Sequence, residues 1–135
     1  MYCLDSNIVI EIFRGNPNLK NRTESLQKEN KEFFINPIIL CELYKGVYSS
    51  NKKDIASKFL EEFLKEVIFL EFDKESCREF GELYDRLSKK GKMTQEKDLM
   101  IASICIKNNL ILITQNKKHF ENIPRLKAEF WWLIF

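Results

Sequence analysis

Leu110-Ile111-Leu112-Ile113 is an unbroken aliphatic run behind a polar break at Asn108-Asn109. A strand with one wet face alternates apolar and polar residues. A strand apolar on both faces has to be covered from both sides. The residues before it, 94–107, have helical spacing, with Thr94 the expected cap. A helix leading into a doubly buried strand is the pattern of a parallel sheet between helix layers.

The rest of the chain repeats that alternation. Residues 2–4 read as a strand and 6–14 as a helix, with apolar residues at 8, 9, 12 and 13 and a stop at Gly15-Asn16-Pro17. Residues 19–30 are polar and read as a second, exposed helix. Phe33-Phe34-Ile35 reads as a strand. Asn36-Pro37 then starts a helix running to about residue 48, since Asn caps free amides and Pro fits the first turn. Ile55, Phe59, Phe63 and Val67, with Ala56, Leu60 and Leu64, form an amphipathic stripe. Residues 67–70 suggest a short strand. A helix follows from about Asp73, with Cys77, Phe80, Tyr84 and Leu87 on its apolar face and Gly91 ending it. Residues 117–120 suggest one helical turn, and 130–135 are wholly apolar. The expected fold class is α/β: one domain over residues 1–135, a central, mainly parallel β-sheet flanked by helices, with right-handed crossovers.

Composition narrows the function. The chain has 135 residues, 44% of them hydrophobic, and a formal charge of +2. A core of adequate size is available without metal or disulfide support. The charge excludes a strongly basic, charge-driven nucleic-acid binder and leaves room for a local basic rim. The four cysteines, Cys3, Cys41, Cys77 and Cys105, lie far apart in apolar surroundings, which predicts reduced buried thiols. The N-terminal residues lack the pattern of a signal peptide, and no apolar run approaches the roughly 20 residues of a membrane span. The expected location is therefore cytoplasmic, with no membrane partner.

The carboxylates are the chemical signal. There are five aspartates against 15 glutamates, so an aspartate within an apolar segment stands out. Asp5 lies between Leu4 and Ile8-Val9-Ile10, where it either caps the helix or serves a site. Glu42 has Ile38, Ile39 and Gly46 as helical neighbours, with Gly46 expected to clear space beside it. Asp98 faces Ile101, Ala102 and Cys105, the core side of its helix. A buried carboxylate without compensation costs several kcal/mol, about 3–5 or more. In parallel α/β sheets ligands bind beyond the carboxyl ends of the strands. Asp5, the helix bearing Glu42, and Thr114 all follow such ends. Three acids meeting at one rim ask for a cation. Without Cys or His ligands they suit Mg²⁺ or Mn²⁺. The single histidine, His119, is expected on a surface turn and makes zinc a poor candidate.

Leu4-Asp5-Ser6-Asn7, Cys41-Glu42-Leu43, Asp98-Leu99-Met100-Ile101-Ala102, and Ile113-Thr114-Gln115-Asn116 with Phe120 behind it together resemble a PIN domain, most closely the VapC-type toxins. The resemblance runs from Tyr2 to about Trp131. It implies a Mg²⁺- or Mn²⁺-dependent endoribonuclease, the toxin of a toxin–antitoxin pair, with an RNA substrate, a cognate antitoxin protein and a homodimer. By position, Asp5, Glu42 and Asp98 match the family's invariant acids, Asp5 and Asp98 being the expected metal ligands. Glu96 falls where many members carry another acid, and Asn116 where some have Asp and others Asn. Ser6 stands where Thr is commoner. Ser6, Asn7, Glu96, Thr114 and Asn116 are then supporting residues. In-line hydrolysis would leave a 5′-phosphate.

Lys45, Lys92, Lys97 and Lys117 are candidates for a basic substrate rim. A rival reading is a catalytically silent PIN-like module that binds RNA or a partner. A phosphatase with Asp5 as nucleophile is disfavoured, because position 7 is Asn and the four glycines are scattered.

Overall fold

The computed structural model describes residues 1–131. Its strands are β1 (Tyr2–Leu4), β2 (Phe33–Ile35), β3 (Ile68–Phe69), β4 (Ile111–Thr114) and β5 (Lys127–Phe130). They form one sheet in the order β3-β2-β1-β4-β5, and every neighbouring pair is parallel. Between them run α1 (Ser6–Phe13), α2 (Pro17–Lys28), α3 (Pro37–Ser49), α4 (Lys53–Leu64), α5 (Lys74–Lys89), α6 (Glu96–Lys107) and α7 (Lys117–Phe120).

The strand order fixes where a ligand can sit. The chain steps outward from β1 to β2 and β3, then returns to lay β4 on the other side of β1. Successive crossovers therefore part company at β1 and β4, which opens a crevice beyond their carboxyl ends. The register brings the two ends level, with Leu4 opposite Ile113. The amide of Asp5 continues the ladder by donating to the Ile113 carbonyl at 3.0 Å.

Local chemistry starts the helices. Asn36 Oδ1 accepts from the amides of Ile38 and Ile39 at 3.1 and 3.0 Å, with Pro37 behind it. Asn16 caps α2 in the same way, and the Asp73 carboxylate accepts from the Ser76 amide at 2.9 Å. Helix α6 is the most deeply buried, losing Leu99, Ile101, Ala102, Ile104 and Cys105 from solvent against the sheet and α5. Each such large aliphatic side chain contributes about 1.5–3 kcal/mol of burial. Leu112 and Ile113 are wholly buried, as a doubly covered strand requires.

Several expectations need correction. The second helix starts at Pro17 and buries Leu19 and Thr23. Gln95, not Thr94, occupies the cap of α6 and makes no side-chain capping bond. Cys41 and Cys77 are exposed, because both lie on the outer faces of their helices; Cys3 and Cys105 are buried. The α4 stripe is only partly covered. Leu60 is buried, but Ile55 and Phe59 are more than half exposed. Open space surrounds Gly46, so nothing there needs the missing side chain. β5 was not evident in its sequence, Lys-Ala-Glu-Phe, and owes its strand form to pairing with β4. Trp131 behind it is buried, its ring 3.9 Å from the Arg22 guanidinium. The rest of the apolar tail, 132–135, lies outside the described residues.

Candidate active site

Asp5 both caps a helix and faces the crevice. Its Oδ1 accepts from the Ser6 amide at 2.9 Å at the start of α1. Its Oδ2 accepts from the Thr114 hydroxyl at 2.7 Å and the Asn7 amide group at 3.3 Å. Only 3% of the residue is exposed. Burial pushes its carboxyl up to about 6, against the pull of the bonds from Thr114 and Ser6; the charges of Glu42 and Asp98 push the same way as burial.

Thr114, the last residue of β4, is the joint of this corner. Its oxygen donates to Asp5 and accepts from the Asn116 backbone amide at 3.1 Å and Asn7 Nδ2 at 3.4 Å. Asn7 Oδ1 in turn accepts from the Gln115 amide at 3.3 Å. Ser6, Asn7 and Thr114 thus fix the Asp5 carboxylate with three donors tied across two strand ends.

Glu42 on α3 reaches the same corner. Its Oε1 accepts from the Ser6 hydroxyl at 3.2 Å, and its Oε2 from Lys97 Nζ at 2.7 Å. Asp98, in the first turn of α6, is 3% exposed. Its Oδ2 lies 2.9 Å from His119 Nδ1. The approach is within ion-pair range but lacks hydrogen-bond alignment, and both atoms are buried without a hydrogen-bond partner. Burial holds the Asp98 carboxyl above its usual range; His119 and Lys97 oppose that, and Glu42 reinforces it.

Other expected residues stand apart. Glu96 is exposed and two positions before Asp98, roughly 200° away around the helix. Asn116 is exposed, and only its backbone amide joins the network. Lys45, Lys92 and Lys117 are exposed, while Lys97 is tied to Glu42. His119 lies on a surface turn as expected, but that single turn of α7 also carries it back from Asn116 to Asp98, a contact that sequence reasoning missed. Its position three residues after Asn116, one helical turn beyond a strand end, was the available signal.

Among the described residues, no group of three or more His, Cys, Asp or Glu side chains is arranged as a ready-made metal cage. The arrangement offers instead two buried carboxylates, Asp5 and Asp98, and a third, Glu42, already paired. All are oxygen donors that raise one another's charge cost. Such a corner is suited to attracting a hard cation and, through it, phosphate oxygens.

An all-parallel sheet with buried acids beyond its strand ends is an α/β domain with a candidate site at its switch point, and comparison with known proteins places it further. The PIN domain matches residues 2–126. Ribonuclease VapC2 of Rickettsia felis is 34% identical over 97% of this chain and 98% of its own length. Ribonuclease VapC2 of Haemophilus influenzae is 31% identical over 96% of this chain and 97% of its own. The crystal structure of VapBC2 from Rickettsia felis bound to a DNA fragment from their promoter superposes with a TM-score of 0.89 at 36% identity, covering 97% of this chain and 98% of that one. The chain belongs to the PIN-domain family, among its VapC ribonucleases.

Proposed function

We propose that the β1–β4 corner is a divalent-metal site at which this chain hydrolyses RNA, and that the chain, acting as one domain over residues 1–135, is the toxin of a toxin–antitoxin pair in the cytoplasm. Asp5 and Asp98 would hold Mg²⁺ or Mn²⁺. The donor set fits such an ion: hard oxygens, two of three carboxyls raised by burial and mutual repulsion, and no sulfur ligand among the acids. The observation that carries the reading is Asp98 Oδ2, buried in the same corner as Asp5, with His119 Nδ1 2.9 Å away in ion-pair range but no aligned hydrogen bond to satisfy it.

When bound, the ion supplies a Lewis acid for the phosphodiester and a water of lowered pKa. The chain's own residues prepare the place. Thr114 and Asn7 hold Asp5 Oδ2, so that carboxylate does not turn away. Ser6 fixes one oxygen of Glu42 and Lys97 the other, leaving its carboxylate as a neighbour that orients water. Exposed lysines, Lys45, Lys92 and Lys117 among them, supply a basic rim for the RNA backbone. Single-stranded or looped RNA is the fitting substrate form.

Partners fit the surface. Ile10, Phe13, Leu43, Val47, Ile55 and Phe59 border a groove of about 750 Å³ between helices. Open apolar surface of this kind suits a covering protein, here an antitoxin or a second copy in a homodimer. No described helix is long and apolar enough to cross a membrane.

Sequencing RNA 5′ ends after induced expression tests the function. Discrete new 5′-phosphate ends, missing with Asp98→Asn, are expected. The same ends with both proteins, or none with either, overturn it.

A further inference from the structure

Lys97 sits where a lysine has little local reason to be. It is the second residue of α6, in the turn where the helix dipole favours anions and disfavours a cation. Its partner lies 55 residues away on another helix: Lys97 Nζ donates to Glu42 Oε2 at 2.7 Å. Glu42's other oxygen is taken by Ser6. Both oxygens of the third acid are thus committed, one of them to a positive charge supplied by the chain itself.

Among the described residues, no other carboxylate is placed in the corner for a second metal ion. Asn116 is neutral, and Glu96 is exposed away from Asp98. Ionised Asp5, Glu42 and Asp98 carry three negative charges, and the Lys97 ammonium already meets one of them at Glu42.

We propose that the Lys97 ammonium is the resident second cation of this site, neutralising Glu42 in place of a second metal ion and limiting the RNA-free protein to one divalent ion, held by Asp5 and Asp98. The proposal rests on the metal-site reading above. A lysine ammonium paired with a carboxylate is charged at neutral pH, and its 2.7 Å bond to Glu42 Oε2 sets that charge inside the acidic corner. In this role Lys97 is a charge-balancing and positioning residue for Glu42. An ordinary half-exposed surface pair contributes little and would not affect metal uptake.

Manganese binding to the RNA-free chain separates these. Wild type, Lys97→Met, Lys97→Gln and Lys97→Arg are titrated with Mn²⁺ and followed by electron paramagnetic resonance, with thermal unfolding confirming that each is folded. Wild type and Lys97→Arg should take one ion. Lys97→Met and Lys97→Gln should bind the first ion about five-fold more tightly, because a repelling charge is gone, and take a second at millimolar Mn²⁺. Single-turnover RNA cleavage by Lys97→Met should be about ten-fold slower at low Mn²⁺ and recover as Mn²⁺ rises. Neutral variants that match wild type in stoichiometry, affinity and rate overturn the proposal while leaving the metal site intact. If wild type binds no Mn²⁺ and loses nothing on Asp98→Asn, the metal reading itself fails and this proposal falls with it.

Discussion

The Thr114 hydroxyl donates to Asp5 Oδ2 across 2.7 Å, joining the end of β4 to the end of β1 with no part of either exposed by more than a few per cent. This bond opposes the burial that raises Asp5. Thr114→Val keeps the shape and removes the donor. It should cost about 1.5–3 kcal/mol in urea unfolding at pH 7, the range for a hydrogen bond to a charged group. It should also raise the Asp5 pKa further, which carboxyl-carbon NMR will follow.

Asp5 makes the metal-free protein pH-sensitive in a definite direction. Its folded value near 6 lies above the ordinary 3.8, so the folded state holds the proton more tightly than the unfolded chain. Stability is then greatest below the unfolded value and falls as pH rises through about 6. The penalty at pH 7 is roughly 3 kcal/mol at most. In EDTA, denaturant midpoints should therefore drop between pH 4.5 and 7, and Asp5→Asn should flatten much of that slope. Asp73, lowered to about 2 by Lys107 and the Ser76 amide, acts oppositely but only at more acid pH.

Asp98→Asn should abolish cleavage while leaving the fold intact. Removing one of three crowded carboxylates relieves repulsion, so its melting temperature without metal should equal or exceed that of wild type. Differential scanning calorimetry in EDTA measures this. A variant that precipitates would instead make Asp98 a structural residue.

His119 lowers the Asp98 carboxyl through its charge. His119→Ala should let Asp98 rise, moving the acid limb of the pH–rate profile to higher pH. Thermal stability should change little, because the histidine side chain is 38% exposed. An unshifted profile would show that the contact has no electrostatic effect.

Leu83 is fully buried in α5 and makes no hydrogen bond to the acids. Leu83→Ala should cost about 2–5 kcal/mol in unfolding free energy. Cleavage per folded molecule should stay at the wild-type level, measured well below the melting temperature.

Much of this was legible from residue order, and the exceptions have physical causes. Leu110 to Ile113 announced a doubly buried parallel strand because its apolar run admits few other settings. Asn36-Pro37 announced a helix start because capping is local chemistry. The acids stood out because burial of a charge is costly enough to demand a reason. β5 was hidden, since Lys127 to Phe130 has no strand pattern of its own and is held by β4. His119 was hidden because its meaning depends on a four-residue turn and on Asp98, 21 positions earlier in the chain. The exposure of Ile55 and Phe59 was hidden too: an amphipathic stripe shows which face is apolar, not whether this chain or another molecule covers it.

Cleavage of a defined RNA by the purified chain under single-turnover conditions, with Mn²⁺ titrated and then withdrawn by EDTA, tests the acidic corner most directly. Cleavage should require the ion, return when Mn²⁺ is restored, leave 5′-phosphate ends, and vanish in Asp5→Asn and Asp98→Asn. Undiminished cleavage in EDTA, or wild-type rates in both variants, would contradict a metal-dependent ribonuclease site at Asp5 and Asp98.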